Sequence, residues 1–217
     1  MNPALIELII LAGIAVFLFL RLKSVLGTRE GFEKPRMQPK NDAPKRDFKV
    51  IDGGEDKDIT DNVEKNSKPA KALKTIKEKD ETFTVNEFLS GARSAYEWIL
   101  MSFEKNEIDD IREILSEEVA EAFDSVVEQR ISQGLTIEAE FIGVREMKLV
   151  DASYNLKTNT AEIAVSFVGE ITSIVKNSSG EIVEGDSKQI KRQKDTWTFS
   201  KDIQSSDPNW LLVATGE

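Results

Sequence analysis

The first two dozen residues constrain this chain most: an almost unbroken apolar run from Leu8 to Leu20, closed by Arg21 and Lys23. A hydrocarbon core takes roughly 20 apolar residues as a helix, and Ala4 to Leu22 supplies that length with Glu7 near one end and Arg21 at the other. A cleaved signal peptide would carry cations before the run and a small-x-small site after it. No Lys or Arg precedes this run, and Arg21-Leu22-Lys23 stands where the site belongs. Residues 4–22 are therefore expected to span a membrane once. Arg21, Lys23 and Arg29 lie on the C-terminal flank, and cation-rich flanks face the cytoplasm. The N-terminus is expected outside and the rest of the chain in the cytoplasm.

The remainder of the 217 residues has room for one domain of ordinary size and a linker. A net charge of −10 argues against duplex nucleic acid as a partner, because phosphate binding needs clustered cations. The chain has no Cys and no His. That excludes thiolate nucleophiles, thiolate or imidazole metal sites and the Ser-His-Asp triad. Gly53-Gly54 has no Lys-Ser/Thr after it, so it is no phosphate loop. No cofactor and no metal are expected.

Residues 23–83 read as a charged, disordered linker, since Phe48, Val50, Ile51 and Leu73 are too sparse to build a core. Within it Lys65, Lys68, Lys71, Lys74 and Lys77 recur at intervals of three among Ala70, Ala72, Leu73 and Ile76. Such a stretch reads either as a solvated tether or as a basic amphipathic helix on anionic lipid.

The folded domain is expected over residues 84–217. Thr84 to Glu87 has the capping-box form, and Phe88, Ala92, Ala95, Tyr96, Ile99, Leu100 and Phe103 follow helical spacing. A short helix from Asn106 carries Ile108, Ile111 and Leu115. Ser116 caps a third helix, with Val119, Phe123, Val126, Val127, Arg130 and Ile131 on one side and a stop at Gly134. The period then switches to two: Ile137, Ala139 and Phe141 alternate with Glu138 and Glu140, and Ala161, Ile163, Val165 and Phe167 with Glu162 and Ser166. A long run from Gly185 to Lys201 and a last strand, Trp210 to Thr215, follow. Helices first and strands after imply an α+β fold, with helices packed on one face of an antiparallel sheet.

For catalysis the residues offer little. Asp109-Asp110 and Glu117-Glu118 are neighbours in sequence, which on a helix points the members of each pair about 100° apart. They read as first-turn acids favoured by the helix dipole. Glu138, Glu140 and Glu162 alternate away from the apolar face. Tyr96 could serve as a pocket acid, but the residues identify no base to act beside it. Trp98, Trp197 and Trp210 read as core rings, each burying a large apolar area. Lys188, Lys191, Arg192 and Lys194 gather on one strand of an acidic domain. They are the candidate site for anionic lipid or an acidic partner.

Several of these residues, in order, carry a family resemblance: Gly91-Ala92, then Ala95-Tyr96-Glu97-Trp98-Ile99-Leu100 and Phe103; Leu115-Ser116, Arg130-Ile131 and Gly134; Asp195-Thr196-Trp197-Thr198-Phe199; and Asp207-Pro208-Asn209-Trp210-Leu211-Leu212 with Ala214-Thr215. The set resembles the Tim-forty-four-like domain family, which includes the membrane-tethering subunit of the mitochondrial import motor and bacterial adaptors of the TimA type. The resemblance implies a cone-like fold similar to nuclear transport factor two, with helices on a curved antiparallel sheet. It further implies a bacterial inner-membrane adaptor rather than an enzyme, meeting membrane or translocation-associated proteins and anionic lipid such as cardiolipin. The charged stretch here is far shorter than the one through which the mitochondrial relative engages its chaperone, so what carries over is the membrane-adaptor part. Two other readings stand beside it, a cone that holds a lipid or apolar ligand and an enzyme of the same fold.

Overall fold

The computed structural model describes residues 55–216. The expected span at 4–22 lies outside them, as does the start of the expected linker. No helix among the described residues is long and apolar enough to cross a membrane.

Residues 55–83, expected as linker, are folded. Helix α1 (Lys57–Thr60) is capped by the Asp56 side chain, and α2 (Lys68–Lys79) by the Ser67 hydroxyl, which accepts from the Ala70 N–H. Helix α2 turns Ala70, Leu73 and Ile76 inward, and Leu73 and Ile76 lie fully buried in the same core as the sheet. Three apolar residues spaced three apart are enough when they meet a ready-made apolar surface. A helix contributes through the face it buries, not through its mean polarity. The packed domain therefore begins well before residue 84. Lys68, Lys71 and Lys74 remain exposed on the outer face of α2, whereas Lys77 reaches the carboxylates of Asp56 at 2.7 Å and Asp58 at 3.0 Å.

Helix α3 (Val85–Glu104) starts as its capping box predicts: the Thr84 hydroxyl accepts from the Glu87 N–H. A second acceptor comes from α1, where the Asp58 carboxylate takes the Val85 N–H at 2.8 Å and the Asn86 N–H at 3.0 Å. Burial would raise the Asp58 pKa, but those two N–H groups and Lys77 outweigh it and hold the carboxyl below its ordinary value. The expected short helix is a 3₁₀ helix, Ile108–Ile114, burying Ile108 and Ile111. Helix α4 (Glu117–Ser132) is capped by Ser116 and followed by Gly134 at φ +66°. Its apolar stripe is narrower than its sequence suggests. Val119, Ala120 and Val127 are buried, while Val126 and Ile131 face solvent.

Four antiparallel strands follow in sequence order: β1 (Thr136–Asn155), β2 (Thr160–Lys176), β3 (Ile182–Asp202) and β4 (Leu211–Gly216). In β1 the register slips three times, leaving Ile142, Arg145 and Val150 as extra residues opposite β2. Bulges of this kind bend a strand and increase its twist. They curve the sheet so that Ile163, Val165, Phe167, Trp197 and Phe199 form a floor, which the helices cover. The β1 and β2 acids Glu138, Glu140 and Glu162 point outward, as the alternation requires.

Candidate functional site

An open groove of about 640 Å³ runs beside the N-terminal half of α3. Its floor is the flank of α3 at Gly91 and Ala95, and Trp98 stands at one rim. Its far wall is built from Phe83, Phe88 and Trp210. The wall is a ring cluster: Phe88 meets Trp210 edge-on at 4.8 Å, and Phe83 lies 5.9 Å from Trp210 and 6.2 Å from Phe88. Asp207-Pro208-Asn209 sets the position of Trp210, with the Asp207 carboxylate accepting the Asn209 N–H. At the end of the groove Asp80 accepts the Thr82 hydroxyl at 2.5 Å and lies 3.9 Å from the Lys201 ammonium. The Thr82 hydroxyl is the main cause that holds the Asp80 carboxyl below its ordinary range.

Trp98 departs from its expected place. It is 49% exposed and forms one rim of the groove, whereas Trp197 is buried and Trp210 partly so. Helical spacing itself assigns Trp98 to the outer side, because it lies two residues, about 200°, beyond buried Tyr96.

On the concave face, Tyr96 is fully buried and stacks on Phe167 at 4.4 Å, with Trp197 4.7 Å away. Its hydroxyl donates to an Asp195 carboxylate oxygen at 2.5 Å. Burial and that neighbouring carboxylate push the Tyr96 pKa well above its ordinary value, so the phenol stays a neutral donor. The Tyr96–Asp195 contact spans 99 residues of sequence, and no local spacing could announce it. Tyr96 thus has the acidic neighbour that sequence did not show. The rings close around the pair, which leaves the phenol no exposed surface.

At the far end of α3, Arg130 donates to the Phe103 carbonyl at 3.0 Å, lies 4.3 Å over the Phe103 ring and stands 3.7 Å from Glu104. Burial raises the Glu104 pKa against the pull of Arg130 and Lys191.

The four cations singled out on β3 do not form one patch. Arg192 and Lys194 alternate with Asp195 and Trp197, which face the core, and so lie on the outer side. Arg192 is held by Glu170 at 2.9 Å. Lys191 turns the other way, 3.8 Å from Glu184. Lys188 sits in a four-residue excursion, Ser187 to Ile190, that has only Thr172 opposite it on β2. The strand alternation and this excursion scatter a run that looks continuous in sequence. Among the described residues, no cluster of acids could hold a metal ion.

Helices layered on a curved, four-stranded antiparallel sheet, with an open aromatic groove along one helix, define the class: an α+β domain whose accessible feature is a surface groove. The chain belongs to the Tim44-like domain family, whose profile matches residues 69–217. The match begins within α2, in keeping with the burial of Leu73 and Ile76. No curated protein sequence matches the chain. Among solved structures, the chain is similar to the intermembrane space region of chloroplast protein ARC6, at 8% identity over 59% of this chain and 94% of that one, with a TM-score of 0.40.

Proposed function

We propose that this chain is a membrane-anchored adaptor whose groove beside α3 receives a segment of a membrane or translocation-associated protein. The observation that carries this reading is the groove itself: half-exposed Trp98 faces the Phe83–Phe88–Trp210 wall across a helix flank of small residues. Large exposed apolar features rimmed by polar groups mark interaction sites, and tryptophan is prominent among residues that dominate binding energy. Membership of the Tim44-like domain family supports the adaptor role over a catalytic one. The reading includes a single span at 4–22 in a bacterial inner membrane, a cytoplasmic domain, and a cone similar to nuclear transport factor two. Tethering near the bilayer would raise the effective concentration of the groove for membrane partners, so that modest affinity suffices. Lys188 and Lys194 are secondary candidates for contact with anionic lipid such as cardiolipin.

The test is a photo-crosslinking residue in place of Asn209, an exposed residue of the groove lining, in the full chain, activated in its native membrane. Recovery of membrane or translocation proteins, lost when Trp210 is replaced by Ala, is the expected result. Recovery of lipid alone would transfer the groove to the ligand-binding reading.

A further inference from the structure

The outer face of α3 is self-complementary, and we infer that two copies of this chain pair there, antiparallel, about a two-fold axis. Core contacts on α3 come from Val85, Leu89, Ala92, Tyr96 and Ile99. Opposite them a seam runs through Glu87, Gly91, Ser94, Trp98, Met101 and Lys105, alternating steps of four and three residues. That is the spacing by which one helix presents a continuous row to another. Five of the six are exposed, and Met101 is half-buried, with part of its side chain packed against the chain's own core. The outward row of a solvated helix ordinarily carries charge. This one has none between Glu87 and Lys105, in a chain that is 31% charged.

The row reads as its own complement when reversed. Centred on position 96, antiparallel pairing sets Glu87 against Lys105 of the second copy, Gly91 against Met101 and Ser94 against Trp98. Every large side chain then meets a small one, and both ends join opposite charges. Nothing lies within 4 Å of where a Cβ on Gly91 would stand, so the space over this exposed glycine is open. Exposed Arg93 and Glu97 flank the row on one side. Pairing about position 96 leaves Arg93 of one copy two residues, about 3 Å along the axis, out of register with Glu97 of the other, within reach of a long guanidinium side chain. A two-fold interface requires such self-complementarity, because one patch must serve as both partners. Glu87, Gly91, Ser94 and Trp98 also line the groove, so pairing covers the α3 side of the groove and competes with a groove occupant. Phe83, Phe88 and Trp210 take no part in the seam.

The chain contains no cysteine, which allows a clean geometric test in the full chain in its native membrane. Positions 87 and 105 are about 27 Å apart along one helix, too far to bridge within a copy. Glu87→Cys and Lys105→Cys together should give a covalent dimer under mild oxidation, whereas neither substitution alone should. Equal dimer from the singles, or none from the double variant, overturns the pairing. A second measurement covers loss of fold. Glu87→Lys alone should weaken the dimer several-fold by sedimentation of the detergent-solubilised chain, and adding Lys105→Glu should restore it. Glu87→Lys breaks the Thr84–Glu87 capping contact and both changes oppose the helix dipole, so that recovery does not come from a more stable fold. A monomer in the unsubstituted chain, or no rescue by the charge swap, rejects the inference. Survival of the crosslink in a Trp210→Ala variant that has lost its membrane partner would separate this interface from the groove.

Discussion

The Tyr96 hydroxyl and the Asp195 carboxylate meet at 2.5 Å in the middle of the concave sheet face, joining α3 to β3 across 99 residues. The approach is close because Gly169 lies behind the ring: a Cβ there would stand 2.6 Å from the phenolic oxygen. Gly169→Ala should therefore destabilise the domain by about 1 to 3 kcal/mol through overpacking. Tyr96→Phe should cost about 1 to 3 kcal/mol, since it leaves the Asp195 carboxylate short of a donor. Made together in a denaturant-unfolding series, the two should cost less than their sum, because removing the hydroxyl relieves the closest clash. Strict additivity would show that the ring and the glycine do not share this constraint.

The tryptophans should separate cleanly. Trp197→Ala should cost about 3 to 5 kcal/mol, in keeping with a buried ring, whereas Trp98→Ala should change stability by under about 1 kcal/mol, as surface substitutions do. Trp98→Ala should nonetheless abolish partner crosslinking in the membrane. Equal destabilisation by both in thermal melts would place Trp98 in the core after all.

Residues 68–79 should behave as part of the domain. Leu73→Ala should cost about 2 to 5 kcal/mol, and a chain beginning at Thr84 should unfold at lower denaturant than one beginning at Glu55. Identical midpoints for the two truncations would restore the linker boundary at 83.

Asp58 should set part of the acid limb of stability. Its folded carboxyl lies below its ordinary value, with burial opposed by the Val85 N–H, Lys77 and the Asn86 N–H. A depressed carboxyl contributes stability that is fully present above its unfolded pKa of about 4 and is lost as pH falls through the lower folded value. Unfolding free energy followed from pH 6 downward should fall less steeply in Asp58→Asn, which should also be less stable at neutral pH. Parallel curves for the two proteins would show that Asp58 is not a linked group.

Much of this architecture is legible in local patterns. The Thr84-to-Glu87 and Ser116 caps, the helical stripe from Phe88 to Phe103, and the switch to period two after Gly134 each depend on neighbours within a turn or two, and each stands in the fold as read. The sequence by itself determined the α+β class, the outward strand acids and the exclusion of thiolate and imidazole chemistry. Tertiary structure alone decided the rest. Whether Leu73 and Ile76 are linker or core depends on an apolar surface supplied by strands far along the chain. Whether Lys188, Lys191, Arg192 and Lys194 form one patch depends on a register slip set by β2. Tyr96 finds Asp195, and Trp98 faces Trp210 across a groove, only because the sheet curves under α3. Spacing reports which side chains share a face, but it carries no information about what the facing element brings to meet them.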